Sequence, residues 1–197
     1  KLAMVTKITV DRAKRRLILD CGVPGTNCHT TQTERILLPL VTDAVEDAMD
    51  MWAQGADGSA LRFLVLDFSD AFYNLPLRPD ERVFFVAAYK GKFLVWLRFA
   101  QGSKHGRQLW GRCAASVTRL VQSVMDPSEA RLQCFVDDPI LTRCASPARC
   151  RVLIAVAILV WRVLGLKLAS HKGQYGPRGG LGWAFPQGGP GLPDCRH

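Results

Sequence analysis

Two acidic clusters stand seventy residues apart in the chain. Asp67 and Asp70 lie in Leu-Val-Leu-Asp67-Phe-Ser-Asp70-Ala-Phe72-Tyr73, and Asp137 and Asp138 in Gln-Cys-Phe135-Val136-Asp137-Asp138. Each cluster follows an apolar, strand-like run. Carboxylates crowded together in water-poor surroundings repel, so one of them protonates unless cations intervene. Such clusters are candidates for magnesium, which takes oxygen ligands together with substrate phosphates. If both strands end at the same place, Asp67, Asp137 and Asp138 can hold two metal ions for phosphoryl or nucleotidyl transfer.

The elements that must carry these acids can be read from periodicity and turn chemistry. Residues 7 to 20 are extended and basic, with Lys7, Arg12, Lys14, Arg15 and Arg16. Gly22 to Asn27 is turn-rich. Glu34 to Trp52 has a helical apolar stripe through Ile36, Leu37, Leu40, Val41, Ala44, Val45, Ala48 and Met49, with Pro39 kinking or dividing it. Residues 54 to 59 read as a linker. Leu61 to Leu66 reads as a buried strand ending at Asp67. Val83 to Tyr89 and Phe93 to Phe99 flank Lys90-Gly91-Lys92 as a hairpin.

Gly106 to Met125 is helical in pattern. Leu132 to Val136 and Ile140 to Thr142 are short strands that put Asp137 and Asp138 at a hairpin tip. Pro147 to Leu166 is a further helix, N-capped by Ser146 with proline at its first position. From His171 onward lie eight of the 17 glycines and four of the 11 prolines. A strand at 180–185 followed by a disordered tail, 186–197, is the expectation there.

Composition narrows the class. With 48% hydrophobic and 22% charged residues the chain can bury a core. A net charge of +9 favours an anionic partner, most simply nucleic acid. The seven cysteines form no CxxC pair, and Cys21, Cys28 and His29 lack a fourth zinc ligand at the usual spacing. Reduced thiols in an intracellular protein are the expectation. The ten-residue apolar run Val152 to Trp161 is half the length of a membrane span. A buried helix is expected there, with no membrane partner.

With its segments in this order, the chain resembles the fingers and palm of reverse transcriptases from retroelements and retroviruses, over roughly residues 12 to 185. The resemblance implies an α+β fold: a palm-like antiparallel sheet with helices packed on one face, plus a fingers subdomain, and no thumb. It divides the chain into a fingers-like segment, 1–60, and a palm-like core, 61–185, with about 78–100 assigned either to the core or back to the fingers. Asp67 to Tyr73 matches the first catalytic motif, in which Asp67 binds metal. Phe72 occupies the steric-gate position, where a ring against the sugar excludes a 2′-hydroxyl and selects dNTPs. The backbone near Ser69 and Asp70 would hold phosphates. Phe135-Val136-Asp137-Asp138 resembles the aromatic-x-Asp-Asp box, with Asp137 the second metal ligand, Asp138 its acidic neighbour, and Val136 against the primer end or nucleotide.

Gln101-Gly102 resembles the motif that contacts nucleotide and template, although Ala100 stands where the family has proline. Arg16, four residues before Asp20, corresponds to an arginine on the triphosphate, with Lys14 as a possible helper; Cys21 and Gly22 depart from the family pattern that follows. Lys172 in Leu168-Ala-Ser-His171-Lys172-Gly173 corresponds to a lysine near the departing pyrophosphate, a candidate general acid. Leu181-Gly182-Trp183 resembles the primer grip.

The implied cofactor is Mg2+, two ions, with Mn2+ as an alternative. The implied partners are an RNA or DNA template with its primer, dNTPs, and other domains of a retroelement polyprotein. Two readings stay open. One is an RNA-directed DNA polymerase domain of a retrotransposon-like element. The other is a catalytically weak or inactive nucleic-acid-binding remnant of such an element, since without a thumb duplex would be held weakly. An RNA-dependent RNA polymerase is disfavoured by Phe72, because those enzymes usually place an aspartate at or near that position.

Overall fold

A computed structural model describes residues 2–9, 12–23, 25–31, 33–54, 61–169 and 172–176. The expected strand at 180–185, the primer-grip residues Leu181, Gly182 and Trp183, and the tail 186–197 lie outside the described residues.

The chain opens with a hairpin of β1 (Leu2–Thr9) and β2 (Arg12–Leu19), paired antiparallel with Leu2 opposite Leu19. Helix α1 (Val41–Ala53) follows. It is shorter than the apolar stripe suggests. Pro39 disfavours helical geometry in the residue before it, so 34–40 runs without helix and leaves Leu37 and Leu40 exposed. The helix starts just beyond, where the Asp43 carboxylate accepts the Leu40 N–H at 2.6 Å.

Four strands form the main sheet: β3 (Leu61–Val65), β6 (Ala130–Phe135), β7 (Asp138–Cys144) and β8 (Gln174–Gly176), in the order β6-β7-β3-β8. All of its pairings are antiparallel. Strand β8 pairs with β3 on the side away from β7 and was not anticipated from the sequence. A separate hairpin joins β4 (Val86–Tyr89) to β5 (Lys92–Val95). Its two-residue loop, Lys90-Gly91, has positive φ at both positions, the twist that matches a right-handed hairpin.

Helices α2 (Gly106–Gln122) and α3 (Pro147–Val163) cover one face of the sheet. Leu64, Leu132 and Leu141 share a core there with Trp110, Ala114 and Val121 of α2 and Leu153, Ala157 and Trp161 of α3. Ser146 caps α3 by accepting the Arg149 N–H at 3.3 Å, with Pro147 at the first turn.

Helix α1 covers the opposite face of the sheet. Arg131 and Gln133 alternate with the core-facing Ala130, Leu132 and Cys134 of β6 and therefore point the other way. Both reach α1: Arg131 bonds Asp47 at 3.2 Å and Asp50 at 3.1 Å, and Gln133 bonds Asp47 at 2.9 Å. Strand β7 is buried at every position from Pro139 to Arg143, as a strand covered on both faces must be. Among the described residues no helix is long and apolar enough to cross a membrane, and Cys21, Cys28, Cys113, Cys134 and Cys150 are free thiols.

Candidate active site

The two acidic clusters meet because the strands that carry them are neighbours. β3 pairs with β7, and beyond the last ladder pair the backbone stays joined. The Leu66 N–H donates to the Pro139 carbonyl at 3.0 Å and the Phe68 N–H to the Asp137 carbonyl at 2.8 Å. Asp67 therefore lies beside the turn between β6 and β7. In that turn Phe135 faces Asp138 across a two-residue loop of Val136 and Asp137. Val136 adopts φ 56°, a left-handed conformation that is rare for a β-branched residue.

On its other side Asp67 is bound by the chain after α3. The Ala169 N–H donates to the Asp67 carbonyl at 2.8 Å and the Ser69 N–H to the Lys167 carbonyl at 2.7 Å. Lys172 Nζ lies 2.5 Å from Asp67 Oδ2. Asp70 also takes positive φ, 52°, which aspartate tolerates better than most residues. The Asn74 side-chain amide lies within 3.3–3.5 Å of the carbonyls of Ser69, Asp70 and Ala71, so it clasps this bend from below.

Gln101 arrives by a third route. Its carbonyl accepts the Leu19 N–H at 3.1 Å, docking the loop on the end of β2. Gly102 makes that approach possible: a Cβ there would lie 2.1 Å from the Leu19 carbonyl oxygen, and its φ is +108°. Asn27 secures the same loop, donating to the Gly102 carbonyl at 3.2 Å and accepting the Lys104 N–H at 3.1 Å.

These routes converge on one cavity of about 140 Å³. Asp67, Asp70, Asp137, Arg16 and Lys172 supply its charges; Ser69, Phe72 and Gln101 are further lining residues anticipated from sequence, joined by Phe68, Ala71 and Ala169. Asp138, Val136 and Gly102 stand beside the cavity and outside its wall. Lys14 belongs to β2, opposite Lys7. The volume of about 140 Å³ is below the usual 300–1,000 Å³ of small-molecule pockets, a size that suits ions and small anionic groups. Sequence reasoning missed Asn74 and Trp110 as parts of this site. Trp110 carried a signal, a polar N–H on the core stripe of a helix.

The electrostatics are those of crowded acids. Burial, then the neighbouring Asp67 carboxylate, raises the Asp137 pKa, with Lys172 and Arg16 opposing. Asp138 is pushed up to about 6 by burial, then by Asp137 and Asp67. Among the described residues, no three carboxylate, thiol or imidazole side chains form a ready-made cage for a metal ion. Magnesium rarely uses one; it binds through one or two carboxylates and fills its shell with substrate phosphates and water. Asp67 and Asp137 in one cavity, with burial and the neighbouring Asp67 raising the pKa of Asp137, are a donor set that suits a hard divalent cation.

A pH dependence follows. The folded Asp138 carboxyl binds its proton more tightly than the unfolded one, so this group lowers stability as pH rises from about 4 to about 6 and leaves it lowered above. Asp138→Asn should remove that loss. The variant is expected to match wild type near pH 4 and exceed it by about 1–2 kcal/mol at pH 7.5, after discounting for solvent. Urea unfolding at both pH values checks this, and equal offsets at both would contradict it.

Neither a protein-family model nor a curated protein matches the chain. Solved structures do match, and they define the class: the chain has a reverse-transcriptase-like fold of helices and antiparallel sheet. One is the native prototype foamy virus protease-reverse transcriptase, at 17% identity and TM-score 0.58, aligned over 85% of this chain and 20% of that one. Another is the foamy viral protease-reverse transcriptase in complex with double-stranded DNA, at 16% identity and TM-score 0.62, over 87% of this chain and 26% of that one. The chain thus spans about a fifth to a quarter of the length of these structures.

Proposed function

We propose that the chain is the polymerase portion of an RNA-directed DNA polymerase from a retrotransposon-like element, adding dNTPs to a primer 3′-hydroxyl. One observation carries the reading: Asp67, Asp137, Arg16, Gln101, Phe72 and Lys172, drawn from five separate stretches of sequence, line a single cavity in a chain with a reverse-transcriptase-like fold. In this reading 61–185 is the palm and 1–60 belongs to the fingers. Template, primer and neighbouring polyprotein domains are its partners, and one neighbour was solved on double-stranded DNA.

Asp67 and Asp137 would hold divalent cations, Mg2+ or Mn2+, with Asp138 adding negative charge beside them. Such ions would supply a lowered pKa for the primer hydroxyl and charge neutralisation for the leaving pyrophosphate. Arg16 grips phosphate oxygens through its forked, always-charged donors. The Ser69–Asp70 backbone offers further phosphate contacts, and Gln101 a polar contact to the nucleotide or template. Lys172, beside Asp67, would deliver a proton toward pyrophosphate.

Primer extension on an RNA template with Mg2+ and dNTPs tests the proposal, with Asp137→Asn as control. The gate has its own test. The Phe72 ring borders the cavity and abuts Gly106, where a Cβ would come within 3.2 Å of the ring. Its position is therefore set by packing. Phe72→Val is expected to raise incorporation of ribonucleotides relative to deoxyribonucleotides by about 10-fold or more, since a lost steric block is worth upward of 1.4 kcal/mol. Unchanged sugar discrimination would remove Phe72 from the gate.

A second reading, a nucleic-acid-binding protein without catalysis, draws on the Lys172–Asp67 ion pair. There the ammonium already supplies the positive charge Asp67 requires. Template binding with no metal-dependent extension would favour it.

A further inference from the structure

We infer that Trp110 is the positioning residue that holds the acidic turn in shape and so aims the Asp137 carboxylate; the catalytic consequence rests on the polymerase function proposed above. Trp110 lies on α2 with no exposed surface. Its indole Nε1–H donates to the Val136 carbonyl at 2.7 Å. A buried indole N–H needs an acceptor, and the acceptor chosen is the one residue of the turn in left-handed geometry. Val136 has φ 56°, a conformation its branched Cβ resists. Holding its carbonyl at a fixed point inside the core resists relaxation of the turn to extended geometry. Cys134 adds a weak contact from Sγ to the same oxygen, at 3.7 Å.

The same ring reaches the other acidic strand. Trp110 meets Phe68 edge-on, with centroids 5.5 Å apart, and Phe68 is wedged on its far side by Trp161 at 5.2 Å. Phe68 follows Asp67 directly and donates its N–H to the Asp137 carbonyl. Trp110, Phe68, Val136 and Asp137 thus form a closed circuit of one aromatic contact and two hydrogen bonds. Through it a side chain outside the cavity wall sets the relation between the two carboxylates.

A double-mutant cycle tests this. Trp110→Phe keeps the ring contact and removes the donor; Val136→Gly removes the branched side chain that opposes positive φ. Thermal unfolding of wild type, both single variants and the double variant is expected to show non-additive effects, with Trp110→Phe less damaging when Gly stands at 136. Mn2+ binding, followed by electron paramagnetic resonance, should weaken about 10–100-fold in Trp110→Phe, as for other residues that orient metal ligands. Val136→Gly should recover most of that loss. In primer extension Trp110→Phe should lower kcat while KM for dNTP changes little.

Additive stability effects, or wild-type Mn2+ affinity in Trp110→Phe, would overturn the inference. Wild type that shows the stability coupling yet neither binds Mn2+ nor extends a primer would sink the polymerase reading and leave the turn-holding role supported. Should Trp110→Phe fail to fold, hydrogen exchange at the wild-type indole decides. A strongly protected proton supports the bond to Val136, and a freely exchanging one overturns it.

Discussion

Primer extension by Asp137→Asn is expected to fall by about three orders of magnitude or more, while the folded state becomes no less stable at pH 8. The two halves of that result have one cause. Asp137 sits on the wall of the cavity facing Asp67, in surroundings that raise its pKa through burial and through Asp67. An ionised carboxylate there is tolerated without being favoured by the fold, so an amide of the same shape relieves repulsion. In the proposed reaction the charge is what the chemistry needs. A carboxylate that binds a catalytic cation acts as part of a unit, and removing one member of such a unit typically costs nearly the whole rate enhancement. Circular-dichroism melting beside the extension assay separates the possibilities. A variant that loses activity and melts earlier would mark Asp137 as structural. One that keeps activity would end the two-carboxylate proposal. Asp67→Asn makes a useful partner, because it also breaks the contact with Lys172.

Gly102→Ala carries the second large effect, and on the fold as well as on function. The added methyl would lie 2.1 Å from the Leu19 carbonyl oxygen, a backbone atom that cannot swing aside, at a φ of +108° that an L-residue strains to adopt. Strain and overpacking together are expected to destabilise by about 3 kcal/mol or more. The displaced loop carries Gln101, whose carbonyl accepts the Leu19 N–H, and β2 carries Arg16. Both cavity walls therefore shift. Under conditions where the variant remains folded, KM for dNTP should rise more than kcat falls, because the groups displaced are those proposed to grip nucleotide. Wild-type melting and KM would show that the approach of Gly102 to Leu19 is looser than described.

The contrast between these two positions shows where local sequence is informative. Asp137 was legible because its chemistry is local: an acid pair after an apolar run, before Pro139, reads as a charged hairpin tip, and β6 and β7 pair there. The cap at Ser146 and the Lys90-Gly91 turn were legible for the same reason, each resting on a few adjacent residues. Gly102 could be read only as part of a motif. Its steric necessity comes from Leu19, more than eighty residues away in the chain. The helix over 34–52 was over-read, since apolar spacing continues across Pro39 while the backbone does not follow.

What one stretch of residues can encode is its own conformational preference and the chemistry of its side chains. Acids at strand ends were identifiable on that basis, whereas the ring at 72, the guanidinium at 16 and the ammonium at 172 were singled out only through the resemblance to reverse transcriptases. Their meeting in one cavity was not legible, because it depends on β3 lying between β7 and β8, on α1 and α2 taking opposite faces, and on close backbone contacts between distant segments. Protonation belongs with these. Asp138 moves to about 6 because burial and two other carboxylates act on it together, and burial exists only once the chain has folded around it.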